Sequence, residues 1–79
     1  MDNTVTLEYP ITVNCASISR ISLRRPKVSD ELAAKKAGDS EMQEITLIAN
    51  LAELAPSDIL QLDSADFRKL TGVLLSFFA

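Results

Sequence analysis

The sequence predicts an α+β fold: an N-terminal antiparallel β-hairpin over residues 4–25, then three to four α-helices packed as a small bundle over residues 29–79. Three observations predict it. Apolar residues alternate with polar ones at the N-terminal end. They recur at helical spacing in the remainder. The change of period falls on one short, basic, proline-marked stretch, Ile21-Ser22-Leu23-Arg24-Arg25-Pro26-Lys27-Val28-Ser29-Asp30. A chain of 79 residues is expected to form a single domain, 1–79.

In residues 4–13, Val5, Leu7 and Tyr9 share one face, and Ile11 and Val13 resume it after Pro10. Proline lacks the N–H that a central ladder needs, so this strand is expected at an edge or with a bulge there. Asn14-Cys15-Ala16-Ser17 suits a turn, and residues 18–24 return as the second strand with Ile21 and Leu23 inward. Ile18 is out of phase with them, which predicts an irregularity near Ser19. Two strands alone are marginal, so the hairpin must lean on the helices.

Pro26 biases Arg25 towards extended backbone, and Ser29 or Asp30 is expected to cap a helix near 30–37, with Lys35 and Lys36 in its last turn and Gly38 closing it. Ser40 with Gln43 three residues on has the spacing of a capping box. In the helix that follows, over 40–54, Met42, Ile45, Ile48, Ala49 and Ala52 form a stripe that Leu47, Leu51 and Leu54 widen. Ala55-Pro56-Ser57-Asp58 opens a short helical turn holding Ile59, Leu60 and Leu62. Asp63 caps the last helix, whose stripe is Phe67, Leu70, Leu74, Phe77 and Phe78, with Val73 and Leu75 beside it. Gly72 costs about 1 kcal/mol against alanine inside a helix, so a close crossing is expected there.

Composition narrows the function. A domain this short buries only about 60–65% of its unfolded surface, and the usual staples are missing. Cys15 is the single cysteine and the chain has no histidine, so neither an internal disulfide nor a zinc cage can form. The remaining staple is association. With 47% hydrophobic residues and a positive mean hydropathy, part of the apolar surface is expected to stay outside and meet another chain. The lone thiol fits a reducing cytosol. No targeting signal is expected from Met1-Asp2-Asn3-Thr4, and the apolar cluster over 73–79 is too short to span a bilayer.

Enzyme chemistry fails on inventory. The commonest general base is absent, Cys15 has no histidine to activate it, and the two glycines, Gly38 and Gly72, make no phosphate-binding loop. The carboxylates Glu41, Glu44, Glu53, Asp58, Asp63 and Asp66 read as caps and solvated faces. No catalytic, cofactor-binding or metal-binding residue is therefore assigned, and no cofactor. Arg20, Arg24, Arg25 and Lys27 form the one local charge cluster. They either pair at the hinge with Asp30 or Glu31 or dock an acidic partner segment. A net charge of −3 disfavours nucleic acid.

The order of landmarks carries a resemblance. Leu7-Glu8-Tyr9-Pro10-Ile11 leads to a strand ending Leu23-Arg24-Arg25-Pro26, then to an acidic-capped helix at Ser29-Asp30. Glu44-Ile45-Thr46-Leu47-Ile48-Ala49-Asn50-Leu51 follows, and then Pro56-Ser57-Asp58-Ile59 running on to Asp66-Phe67. Over roughly residues 5–78 this resembles the tail assembly chaperones of Mu-like, contractile-tailed bacteriophages and prophages. The turn Asn14-Cys15-Ala16 departs from the Asp-Gly-like pair expected of the family.

The resemblance implies a non-catalytic protein of the host cytoplasm, absent from the mature virion. Such a protein binds the tape measure protein and helps recruit tail-tube subunits. It also implies a frameshifted longer product sharing this domain, and the apolar faces allow a homo-oligomer. The surface expected to meet the client comprises Arg24, Arg25, Leu47, Leu51, Leu54, Leu70, Leu74, Phe77 and Phe78. The alternatives are a small structural adaptor of a phage tail or baseplate and, more remotely, a small DNA-binding regulator.

Overall fold

A computed structural model describes residues 3–78; Met1, Asp2 and Ala79, the ends of the expected domain, lie outside the described residues. The elements run β1 (Thr4–Val13), β2 (Ala16–Ser22), α1 (Val28–Lys35), α2 (Ser40–Ala52), α3 (Pro56–Ile59) and α4 (Ser64–Ser76). The expected hairpin-then-helices order is borne out. β1 and β2 form a two-stranded antiparallel sheet, and α2 lies centrally, touching α1, α3, α4 and β2, while α4 and α3 pack on β1.

The hairpin closes two residues earlier than expected. Asn14 and Cys15 both adopt positive φ, 50° and 66°, the left-handed backbone that a tight two-residue hairpin turn requires. Asparagine tolerates this region; Cys15 holds it at a steric cost that glycine would avoid. Val13 then pairs with Ala16, and the second strand starts at Ala16 rather than Ile18.

The irregularity expected near Ser19 is present, but its extra residues sit on the other strand. Thr6 pairs with Arg20 and Ile11 with Ile18, so residues 7–10 stand opposite Ser19 alone. Pro10 falls in this bulge, where its missing N–H breaks no ladder bond. The bulge turns Tyr9 out of the face expected for it: Val5, Leu7 and Ile11 are buried as expected, whereas Tyr9 is 61% exposed.

Both ends of α1 and of α2 also shift. α1 starts after Lys27, and Asp30 sits three residues in, its carboxylate accepting from the Lys27 N–H at 2.9 Å. Asp39, not Ser40, caps α2 by accepting from the Met42 N–H, while Gln43 donates to the Gly38 carbonyl. Gly38 lies beyond the end of α1, which closes at Lys36, and its φ of +112° turns the chain into α2. α2 ends on Glu53 in the left-handed region, φ 59°; the Leu54 and Glu53 N–H groups bond the Ala49 and Asn50 carbonyls.

One core cluster joins sheet and helices through Val5, Leu7, Ile11, Ile21, Leu23, Ile48, Leu51, Ile59, Leu70, Leu74 and Phe77. Gly72 is not at a close crossing: a Cβ built there meets nothing within 4 Å. Gly72→Ala is therefore expected to stabilise the protein by about 1 kcal/mol, read as a rise in the urea midpoint with unchanged slope. A fall in the midpoint would reveal a contact on that face.

Candidate docking surface

The hinge between β2 and α1 is built by Asp30. Arg24 grips its carboxylate with both guanidinium nitrogens, Nη1 at 2.7 Å and Nη2 at 2.8 Å, while the Lys27 N–H donates to the same oxygen as Nη1. The sequence left Arg24 either pairing here or docking a partner; the structure pairs it with Asp30. Arg25 is also engaged. Its Nη2 donates to the Phe77 carbonyl at the C-terminal end of α4, and its guanidinium carbon lies 5.4 Å from the Phe77 ring centroid. A cation suits both the helix end and the ring face. The two adjacent arginines thus fasten α1 and α4 to the end of the hairpin.

The Arg24 bonds come first among the causes that hold the Asp30 carboxyl at about 2, followed by the Lys27 N–H; burial opposes them. Asp66 differs. Burial is the strongest single influence on it and pushes it up, yet the N–H groups of Glu8 and Tyr9, aided by Lys69, outweigh burial and leave it below the ordinary carboxylate range. Both groups therefore stabilise the fold when ionised. For Asp30 that contribution is complete above the unfolded value near 3.8 and is lost as pH falls from there towards about 2; that of Asp66 is likewise present above the unfolded value and lost on the acid side. With no histidine to titrate, stability is expected to be flat through neutral pH. A thermal midpoint that stays level down to pH 2 would contradict this, and Asp30→Asn should blunt the acid-side fall.

Beside this hinge, α1, α2 and α4 enclose an open groove of about 500 Å3. Leu47 from α2 and Leu75 from α4 line it, with Glu31 and Lys35 on the α1 wall. Glu44 and Thr71 cross its inner end, the Thr71 hydroxyl donating to the Glu44 carboxylate at 2.9 Å. Leu75 is 63% exposed and Phe78, just past α4, is 55% exposed. Val28 and Leu32 stand exposed on α1. These are large apolar side chains in water on adjacent helices, an arrangement that marks interaction sites when it is clustered.

The structure divides the residues expected to meet a client. Leu51, Leu70, Leu74 and Phe77 belong to the core and are nearly or wholly covered. Leu47 and Leu54 are half-buried, Phe78 is exposed, and Arg24 and Arg25 sit at the surface with the bonds just described. Val28 and Leu32 were not singled out by the sequence, and Leu75 was placed beside the stripe of the last helix but outside the surface expected to meet a client. Val28 and Leu32 are spaced i, i+4 on a short helix, a signal that was legible. Asp66 was read as a solvated cap and is instead fully buried, because its carboxylate reaches the bulge of β1. Among the described residues no cluster of histidine, cysteine or carboxylate side chains is placed to hold a metal ion, and no helix is long and apolar enough to cross a membrane.

A family model for phage tail assembly chaperone proteins, described as "E, or 41 or 14", matches residues 4–79. The chain belongs to this family. The match runs from the first residue of β1 through the hairpin, the hinge and all four helices, so the hinge and the groove both lie within the chaperone family's domain. No curated protein and no solved structure is significantly similar to the chain. As a tail assembly chaperone, the protein's function concerns protein partners in building a phage tail.

Proposed function

We propose that this tail assembly chaperone binds the tape measure protein of a Mu-like, contractile-tailed phage, keeps it from aggregating, and helps recruit tail-tube subunits onto it. It acts in the host cytoplasm as a single domain, without catalysis, and leaves before the virion is complete. The observation that carries the reading is the coincidence of the family match with an apolar groove between helices. A long helical client exposes apolar stripes, and a groove between helices accepts such a stripe at i, i+3 and i+4 anchors. A groove with only a few exposed apolar side chains suits a contact that must be released.

The client-binding surface is Leu47, Leu75 and Phe78, extended by Leu54, with Arg25 adding positive charge at one end for acidic client segments, while the charge of Arg24 is spent on Asp30. Co-expression with the tape measure protein tests this. The double substitution Leu75→Asp and Phe78→Asp, at two exposed positions, is expected to leave the fold intact by circular dichroism and to weaken client binding at least about tenfold. Soluble client that still co-purifies at the wild-type level would remove the groove from the reading. Mass spectrometry of purified particles is expected to find no copy of the protein; stoichiometric amounts there would instead make it a structural adaptor.

A further inference from the structure

The two edges of the hairpin are treated differently. In the second half of β1, backbone groups that face away from β2 are met by residues of the helical part. Gln61 accepts from the Thr12 N–H and donates to the Thr12 carbonyl, and Asp66 accepts from the N–H groups of Glu8 and Tyr9. Side chains thus close that edge from Glu8 to Thr12.

The direction of each β2 residue follows from the same bonds. Thr12 spends its backbone groups on Gln61, so its cross-strand partner Ser17 points its own away from β1. The Leu23 N–H bonds back to the Asn3 carbonyl, so Ser22 and, two residues on, Arg20 also point outward. None of these outward groups has a partner among the described residues. Only at Arg24 is the edge closed, its N–H bonding the Leu51 carbonyl at the end of α2. A groove of about 440 Å3 runs alongside, between β2 and the end of α2, lined by Ile18, Leu51 and Leu54 among others.

We infer that the open β2 edge pairs with the β2 edge of a second copy of this chain, giving a four-stranded antiparallel sheet β1-β2-β2-β1 about a two-fold axis. Charge favours this occupant. Arg20 is the one charged residue in β2. An axis through Ile21 sets Arg20 opposite Ser22 of the second copy, and Ser22 opposite Arg20, so arginine never faces arginine. It also brings together the two outward-facing residues of the regular stretch, each N–H meeting a carbonyl of the other chain. An acidic peptide is less favoured, because Arg24 is neutralised by Asp30 and Glu53 lines the same groove. The pairing also supplies the staple that so short a chain otherwise lacks.

The register makes a charge-specific test. Sedimentation velocity from low to several hundred micromolar is expected to show a reversible dimer. Ser22→Lys sets a like charge opposite Arg20 at both symmetry-related positions and should weaken the dimer about fivefold, whereas Ser22→Glu should tighten it by a similar factor. Both variants lose the same exposed hydroxyl bond between Ser22 and Thr4, so their comparison isolates charge. Amide exchange at Arg20 and Ser22 should slow with concentration. A strict monomer throughout the range overturns the inference and leaves the edge to an extended segment of a different protein. A dimer that responds equally to Lys and Glu, or whose Arg20 and Ser22 amides exchange unchanged, places the contact elsewhere and overturns it too. Neither readout involves the tape measure protein, so the client reading stands or falls separately.

Discussion

Asp66→Ala is expected to lower the thermal midpoint on the order of ten degrees while leaving the surface groove chemically unchanged. The carboxylate is fully buried and accepts at 3.2 Å from the N–H of Glu8 and at 3.2 Å from the N–H of Tyr9. These are the amides that the bulge has pulled out of the β1–β2 ladder, and nothing else in the hairpin can satisfy them. Lys69 Nζ lies 3.5 Å from the same carboxylate and 3.7 Å from Glu8. Removing the acceptor leaves two peptide donors without their partner beside the buried core, while the half-exposed Lys69 ammonium keeps Glu8 and water. Asp66→Asn should recover only part of the loss. An amide offers one acceptor oxygen, and its NH2 group then faces a donor. Calorimetry of the two variants beside wild type checks this ordering. Equal midpoints for wild type and Asp66→Ala would mean that the bulge amides are satisfied by solvent.

Leu70→Ala should cost about 2–5 kcal/mol, and Leu75→Ala close to nothing, although both are leucines of one helix. Leu70 is 0% exposed at the centre of the shared core, and Leu75 is 63% exposed on the opposite side of α4. A domain of this size has a total stability of only about 4–12 kcal/mol, so the first substitution consumes much of it. Urea unfolding separates the two. The contrast extends to function: Leu70→Ala should reduce client binding only in proportion to the unfolded fraction, whereas Leu75→Ala should weaken it in fully folded protein. A Leu75 variant with large destabilisation would mean that the groove is closed in solution.

The order and type of every element were legible because each rests on a local signal. Period 2 marks the strands, period 3.6 the helices, and Pro26 and Pro56 the places where the backbone changes course. The start of α2 slipped by one residue because two adjacent residues could serve as its cap, and α1 began two residues early, after Lys27, with Asp30 inside its first turn. Asp39 and Ser40 both carry a suitable oxygen, and only the backbone angles of the folded chain select Asp39. The docking surface was half legible. Apolar surplus on short helices predicts that something stays exposed, but an apolar stripe does not say which of its members the neighbours cover. Leu74 and Leu75 are adjacent and chemically identical, and the packing of α4 against β1 and α2 buries the first and exposes the second.

Pattern and composition alone determined the α+β class, the basic hinge, the absence of histidine and of a second cysteine, and the resemblance to tail assembly chaperones that the match over residues 4–79 bears out. These depend on residue types and their spacing along the chain. Tertiary structure decided what depends on distant partners. It turned the hinge arginines inward, Arg24 to Asp30 and Arg25 to the end of α4. It buried Asp66 beneath a bulge 58 residues away in sequence. It closed one edge of the hairpin and left the other open. A carboxylate reads the same in sequence whether it caps its own helix or holds a distant strand, because the difference lies in which amides the fold leaves without a partner.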